Sequence, residues 1–103
     1  MVKGYWIAHV SVADAEIYKD YIAANAAAFA RFGGRFLVRA GRDTVAEGVL
    51  RERHVVIEFP SYEAALACYE SPQYRKAKGI RDDASESDLV IVEGYDGPQP
   101  GRH

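Results

Sequence analysis

The side chains of this 103-residue sequence with the most chemistry to offer are His9, Arg39, His54, Glu58 and Glu93. Histidine has a reference pKa of about 6.5, so it can pass a proton at neutral pH. Arginine presents a planar fork of donors that suits a carboxylate or an enolate-like oxygen. Together His9 and Arg39 could hold an anionic substrate and move a proton, with Glu58 as a third polar group. A plainer alternative is that these charges pair with one another across an interface and only order it. Tyr18, Tyr21, Tyr62, Tyr69 and Tyr74 fall in helical stretches. Tyrosine combines an apolar body with a hydroxyl tip, so Tyr18, Tyr69 and Tyr74, with Tyr5 on a strand, are candidate ligand contacts or else core residues.

Other patterns exclude chemistry. Cys68 is the only cysteine, which rules out an intrachain disulfide and a thiolate metal site, and it suits a reducing compartment. It sits inside an apolar helical run and reads as an inert, packed thiol. The histidines stand apart, so no metal site is expected. Gly33-Gly34 end a helix where a phosphate loop would begin one, and no bound cofactor is expected. Ser71 precedes Pro72 and reads as a helix cap, not a nucleophile. Arg75, Lys76, Lys78 and Arg81 are followed at once by Asp82, Asp83, Glu86 and Asp88, which makes a solvated charged face the expectation. Thirteen basic against fifteen acidic residues give a formal charge of -2, which argues against a nucleic-acid or membrane-surface partner. There is no apolar run of about 18 residues and no leader-like start, so a cytoplasmic location is expected.

The elements that must position these groups are marked by period and punctuation. GYWIAHVSV (4–12) alternates, with Trp6, Ala8, Val10 and Val12 on one face and Tyr5, Ile7, His9 and Ser11 on the other. Asp14 can cap a helix that carries Ile17, Tyr21, Ala24, Ala28, Phe29 and Phe32 at helical spacing until Gly33-Gly34 stop it. RFLVRA (35–40) reads as a second strand, with Phe36 and Val38 opposite Leu37 and Arg39. Residues 41–52 form a turn-rich connection with room for a short extended piece at 44–47. RHVVIEF (53–59) is the third strand, with Val55, Ile57 and Phe59 opposite His54, Val56 and Glu58. Pro60-Ser61 starts a second helix, Ser71-Pro72 breaks it, and it resumes to about Arg81. DLVIVEGY (88–95) is the fourth strand, with Val90 and Val92 assigned to the helix side and Leu89, Ile91 and Glu93 to the other. Residues 98–103 are expected to form a mobile tail beyond a single domain of residues 1–97.

This order, βαββαβ, defines an α+β, ferredoxin-like fold: a four-stranded antiparallel sheet with helices on one face. A rough register puts His9, His54 and Arg39 near one end of the open face, and Tyr5, Glu58 and Glu93 near the other. The open face is apolar in the middle, and its expected cover is a second copy of the same sheet in a two-fold homodimer.

GYWIAHVSV, GGRFLVRAG, HVVIEFPSYEAALACYESPQY and LVIVEGYDG, in that order, resemble the DUF1330 family over residues 2–97. One local departure is Ala40, which precedes Gly41-Arg42-Asp43 where the family carries a second glycine. The resemblance implies a small bacterial protein of the dimeric α+β barrel superfamily. Many members of that superfamily hold a small molecule between sheet and helices, often without a bound cofactor. It implies no particular reaction. Small-molecule binding or conversion therefore stands beside a non-catalytic dimeric module, and a cofactor-independent oxygenase beside an isomerase.

Overall fold

Asp14, Ser61 and Ser71 each begin a helix by the same means, a side-chain oxygen accepting from backbone N–H groups that have no partner within the helix. The protein, seen in a computed structural model that describes residues 2–101, runs β1 (Gly4–Val12), α1 (Ala15–Phe32), β2 (Arg35–Arg39), β3 (Arg53–Phe59), α2 (Tyr62–Glu70), α3 (Pro72–Ala84) and β4 (Ser85–Glu93). Asp14 Oδ1 accepts from the N–H groups of Glu16 and Ile17, both at 3.1 Å. Gly33 closes α1 in the left-handed region at φ 76°, where a Cβ is unfavourable. Ser71 joins α2 to α3: its Oγ donates to Cys68 O at 2.7 Å and accepts from Tyr74 N–H at 3.1 Å.

The sheet is antiparallel in the order β2-β3-β1-β4. Trp6, Ala8, Val10, Ile57 and Phe59 face the helices and are buried. Trp6 is the centre of the core. Its ring meets those of Tyr74 at 4.8 Å and Phe29 at 5.2 Å, both edge-on, and its Nε1–H donates to Ala65 O at 2.8 Å. The α2 helix packs directly on the sheet, whereas α1 is held chiefly by α3 and stands farther from the strands.

Two expectations about strand faces fail. In β4, Leu89 pairs with Ala8 and Ile91 with Trp6, so Leu89 and Ile91 face the helices, and Glu93, opposite Gly4, has the same parity. Val90 and Val92 lie on the open face instead. The reason is that LVIV is apolar on both faces, so it offers no alternation from which to read parity. The strand also begins earlier than expected, at Ser85, because β1 is long enough to pair Val10 with Ser87 and Val12 with Ser85. In β2, a bulge falls between Phe36 and Val38: Phe36 pairs with Ile57 and Val38 with Val56, which leaves Leu37 unpaired. Beyond a bulge every side chain changes face. Val38 therefore lies on the open face, and Arg39, opposite Val55, on the helix side.

The connection 40–52 contains no strand and is exposed along its length apart from Arg51, with Ala40 at a positive φ of 54°. Of the tail expected at 98–103, Arg102 and His103 lie outside the described residues. No helix of the described chain is long and apolar enough to cross a membrane.

Candidate functional site

Because α1 stands off the sheet, a pocket lies between them. Trp6, Ala8 and Val10 of β1 form its floor, and Tyr18, Tyr21, Asn25 and Phe29 of α1 its roof. Phe36 and Arg39 of β2, Arg53 of β3, Arg81 of α3 and Leu89 of β4 complete the wall. Its free volume is about 30 Å³, room for roughly two waters. Of the candidates read from the sequence, Tyr18 and Arg39 are here.

Three arginines and no carboxylate line the pocket. The Arg39 guanidinium lies 3.9 Å from the ring centre of Phe36, and that of Arg53 5.2 Å from Tyr18. Arg81 is buried, not part of a solvated face: its Nη1–H donates to Tyr74 Oη at 2.9 Å, and Tyr74 Oη and Tyr21 Oη are 2.7 Å apart. Burial works to lower the Arg81 pKa, but Tyr74, Tyr21 and Asp82 outweigh it, so the net shift is upward and Arg81 stays charged. Burial pushes the Tyr18 hydroxyl up, while Arg53 and Arg81 pull it back. Tyr74 is driven further up, first by burial and then by Tyr21. Both hydroxyls are thus neutral donors at physiological pH.

The other candidates lie elsewhere. His9 and His54 meet on the open face, Nδ1 to Nδ1 at 2.8 Å, with Asp43 Oδ2 2.8 Å from His54 Nε2. Glu58 lies toward the opposite end of that face, taking a hydrogen bond from Tyr5 at 3.0 Å and an ion pair with Arg35 at 3.2 Å. With Tyr5 paired to Glu58 and His9 to His54, these groups are four residues apart along β1, roughly 13 Å. Arg39 is on the other face, so His9, Arg39 and Glu58 form no common site. Tyr74 is fully buried beneath the pocket, and Tyr69 packs against Trp6 without lining it. Glu93 is exposed at the sheet's end. Among the described residues no group of three or more His, Cys, Asp or Glu is placed to hold a metal ion.

Sequence reasoning missed Arg53, Arg81, Tyr21 and Asn25, and the signal was present. Arg53 shares the parity of Val55 and Ile57. Asn25 follows Tyr21 by four residues and Tyr18 by seven, and Arg81 follows Tyr74 by seven, all spacings that share a helix face.

An antiparallel ferredoxin-like sheet with helices on one face and a pocket beneath them defines a small α+β protein of a widely used fold. The chain belongs to the DUF1330 family, described as a domain of unknown function, which it matches over residues 3–95. No curated protein matches it. Among solved structures it is similar to a protein of unknown function from Rhodopseudomonas palustris, with 20% identity over 93% of this chain and 85% of that one and a TM-score of 0.73. It is also similar to SnoaB, a cofactor-independent oxygenase from Streptomyces nogalater (17% identity, 97% and 99% covered, TM-score 0.65). A third likeness is to a dimeric, ferredoxin-like protein of unknown function from Bacteroides fragilis (14% identity, 88% and 95% covered, TM-score 0.52). At these identities the likeness is one of fold.

Proposed function

We propose that the protein binds or converts a small organic molecule, without a bound cofactor, in the pocket between α1 and the sheet, and that it does so as a homodimer. The observation that carries this reading is the pocket's make-up: aromatic walls with a few convergent polar groups, the usual composition of a small-molecule site. The free volume is small, so a ligand must displace α1 outward. That helix stands farther from the strands than α2 does. The likeness to SnoaB makes oxidation of an electron-rich substrate the first reaction to try. Native mass spectrometry of the protein as purified tests the proposal: a reproducible small-molecule adduct supports it. An empty protein whose Trp6 emission responds to no member of a small-molecule library overturns it.

The homodimer reading rests on the open face. Ile7, Val38, Val56, Val90 and Val92 share it, and Val38, Val90 and Val92 are exposed in the single chain. A four-stranded face of roughly 350 Å² in projection falls short of the ~800 Å² per partner of a stable interface. The connection 40–52, with Val45, Val49 and Leu50 exposed, supplies further apolar surface if it reaches around a second copy. The same face favours the second reading, a non-catalytic dimeric module whose polar sheet residues only order the interface. That reading predicts a dimer with an unresponsive pocket.

A further inference from the structure

The pocket holds more positive charge than the protein itself neutralises. Arg39, Arg53 and Arg81 enter it from three different elements, and no aspartate or glutamate lines it. Arg81 is only 7% exposed, and its ion pair with Asp82 is long at 3.5 Å. Its Nε–H is buried and has no acceptor. The same holds for the Nε–H of Arg53, whose guanidinium reaches Tyr18 but forms no ion pair among the described residues. Leaving a buried N–H unpaired destabilises a fold, and more so when the group is charged. Two such donors, from β3 and α3, belong to residues that line one pocket. The Arg53 guanidinium lies 5.2 Å from the ring centre of Tyr18 and that of Arg81 6.0 Å from Tyr21, and these two rings are 5.3 Å apart.

Resting on the reading of this pocket as the ligand site, we propose that the ligand is a small aromatic carboxylate. Its carboxylate oxygens accept from Arg53 and Arg81, with the neutral Tyr18 hydroxyl as a further donor. Its ring lies among Trp6, Phe29 and Phe36. A carboxylate matches the guanidinium fork and is flat enough for a narrow pocket. Arg39 is exposed and stacked on Phe36, at the edge of the wall, where it favours entry of an anion.

Benzoate and benzyl alcohol, equal in ring and close in size, form the test. Binding is read by Trp6 emission, Trp6 being the only tryptophan and the pocket's floor. Benzoate is expected to bind at least ten-fold tighter than benzyl alcohol, and Arg53→Gln to abolish that preference while retaining a cooperative unfolding transition. Should Arg53→Gln fail to fold, Arg39→Gln at the exposed edge is the second variant, expected to weaken benzoate and leave benzyl alcohol unchanged. Equal binding of the two compounds, or a preference that is undiminished in a folded variant, overturns the carboxylate assignment and leaves the pocket reading standing. No response to either compound also overturns the carboxylate assignment, and the pocket reading is then decided by the small-molecule library.

Discussion

The imidazoles of His9 and His54 face each other across β1 and β3 with their Nδ1 atoms 2.8 Å apart. A hydrogen bond between two ring nitrogens needs one proton, not two. Asp43 Oδ2, 2.8 Å from His54 Nε2, accepts from that nitrogen, so in the pair of neutral imidazoles His9 Nδ1–H donates and His54 Nδ1 accepts. The arrangement ties the loop 40–52 to the open sheet face. Long-range ¹H–¹⁵N spectra of the imidazoles are expected to show His9 as the Nδ1–H tautomer and His54 as the Nε2–H tautomer. Asp43→Ala is expected to remove the preference at His54.

The open face is expected to hold two chains together through its apolar centre. Val90→Lys and Val56→Asp each put a charge there without touching the core. Light scattering is expected to report a dimer for the wild type and monomers for both variants, with unchanged far-ultraviolet circular dichroism. A wild-type monomer refutes the expectation.

Cys68 is fully buried, and burial pushes its thiol up from 9.0 to about 12. Its folded-state pKa is raised, so the unfolded chain loses the proton first. The stability contribution is intact below pH 9 and is lost as pH rises toward 12, at up to about 1.4 kcal/mol per pH unit. Tyr18 and Tyr74, also raised, act in the same direction at higher pH. Denaturant unfolding between pH 8 and 10.5 is expected to show a shallower decline for Cys68→Ala. In the native protein at pH 8 the thiol is expected to be inert to aromatic disulfide reagents.

Gly4 starts β1 directly under the cap of α2, and a Cβ there would collide with the Ser61 carbonyl and the Tyr62 backbone. Gly4→Ala is therefore expected to cost several degrees of melting temperature or prevent folding. Gly79 is the contrast: it is exposed in α3, and a Cβ added there would meet nothing within 4 Å. Gly79→Ala is expected to stabilise by about 1 kcal/mol, measured by urea denaturation.

Ala40 occupies the left-handed region at φ 54° and bonds its N–H to His54 O at 2.9 Å. An alanine there costs roughly 1–2 kcal/mol of backbone strain, which glycine avoids at a loss of chain entropy that is somewhat smaller. Ala40→Gly is expected to be neutral or stabilising by up to about 1 kcal/mol, again by urea denaturation. The turn thus keeps at Ala40 the backbone geometry that glycine favours.

What the sequence determined by itself was local. The alternation of Trp6, Ala8 and Val10, the cap residues Asp14, Ser61 and Ser71, and the Gly33 stop each act within one turn or one strand, and each took the expected place. The antiparallel sheet with helices on one face followed from the order of the elements and the handedness of their connections. The site was decided by tertiary structure. One unpaired residue, Leu37, carried Arg39 from the open face to the pocket, because a bulge is set by how two strands pair and not by either strand alone. The parity of LVIV was fixed by its partner β1, since its own residues suit either face. Arg81 sits in a run of charges, and only the packing of α1 on α3 turned it inward beside Tyr74. Periodicity reports which side chains share a face; which faces meet, and what they enclose, depends on contacts between residues far apart in the chain.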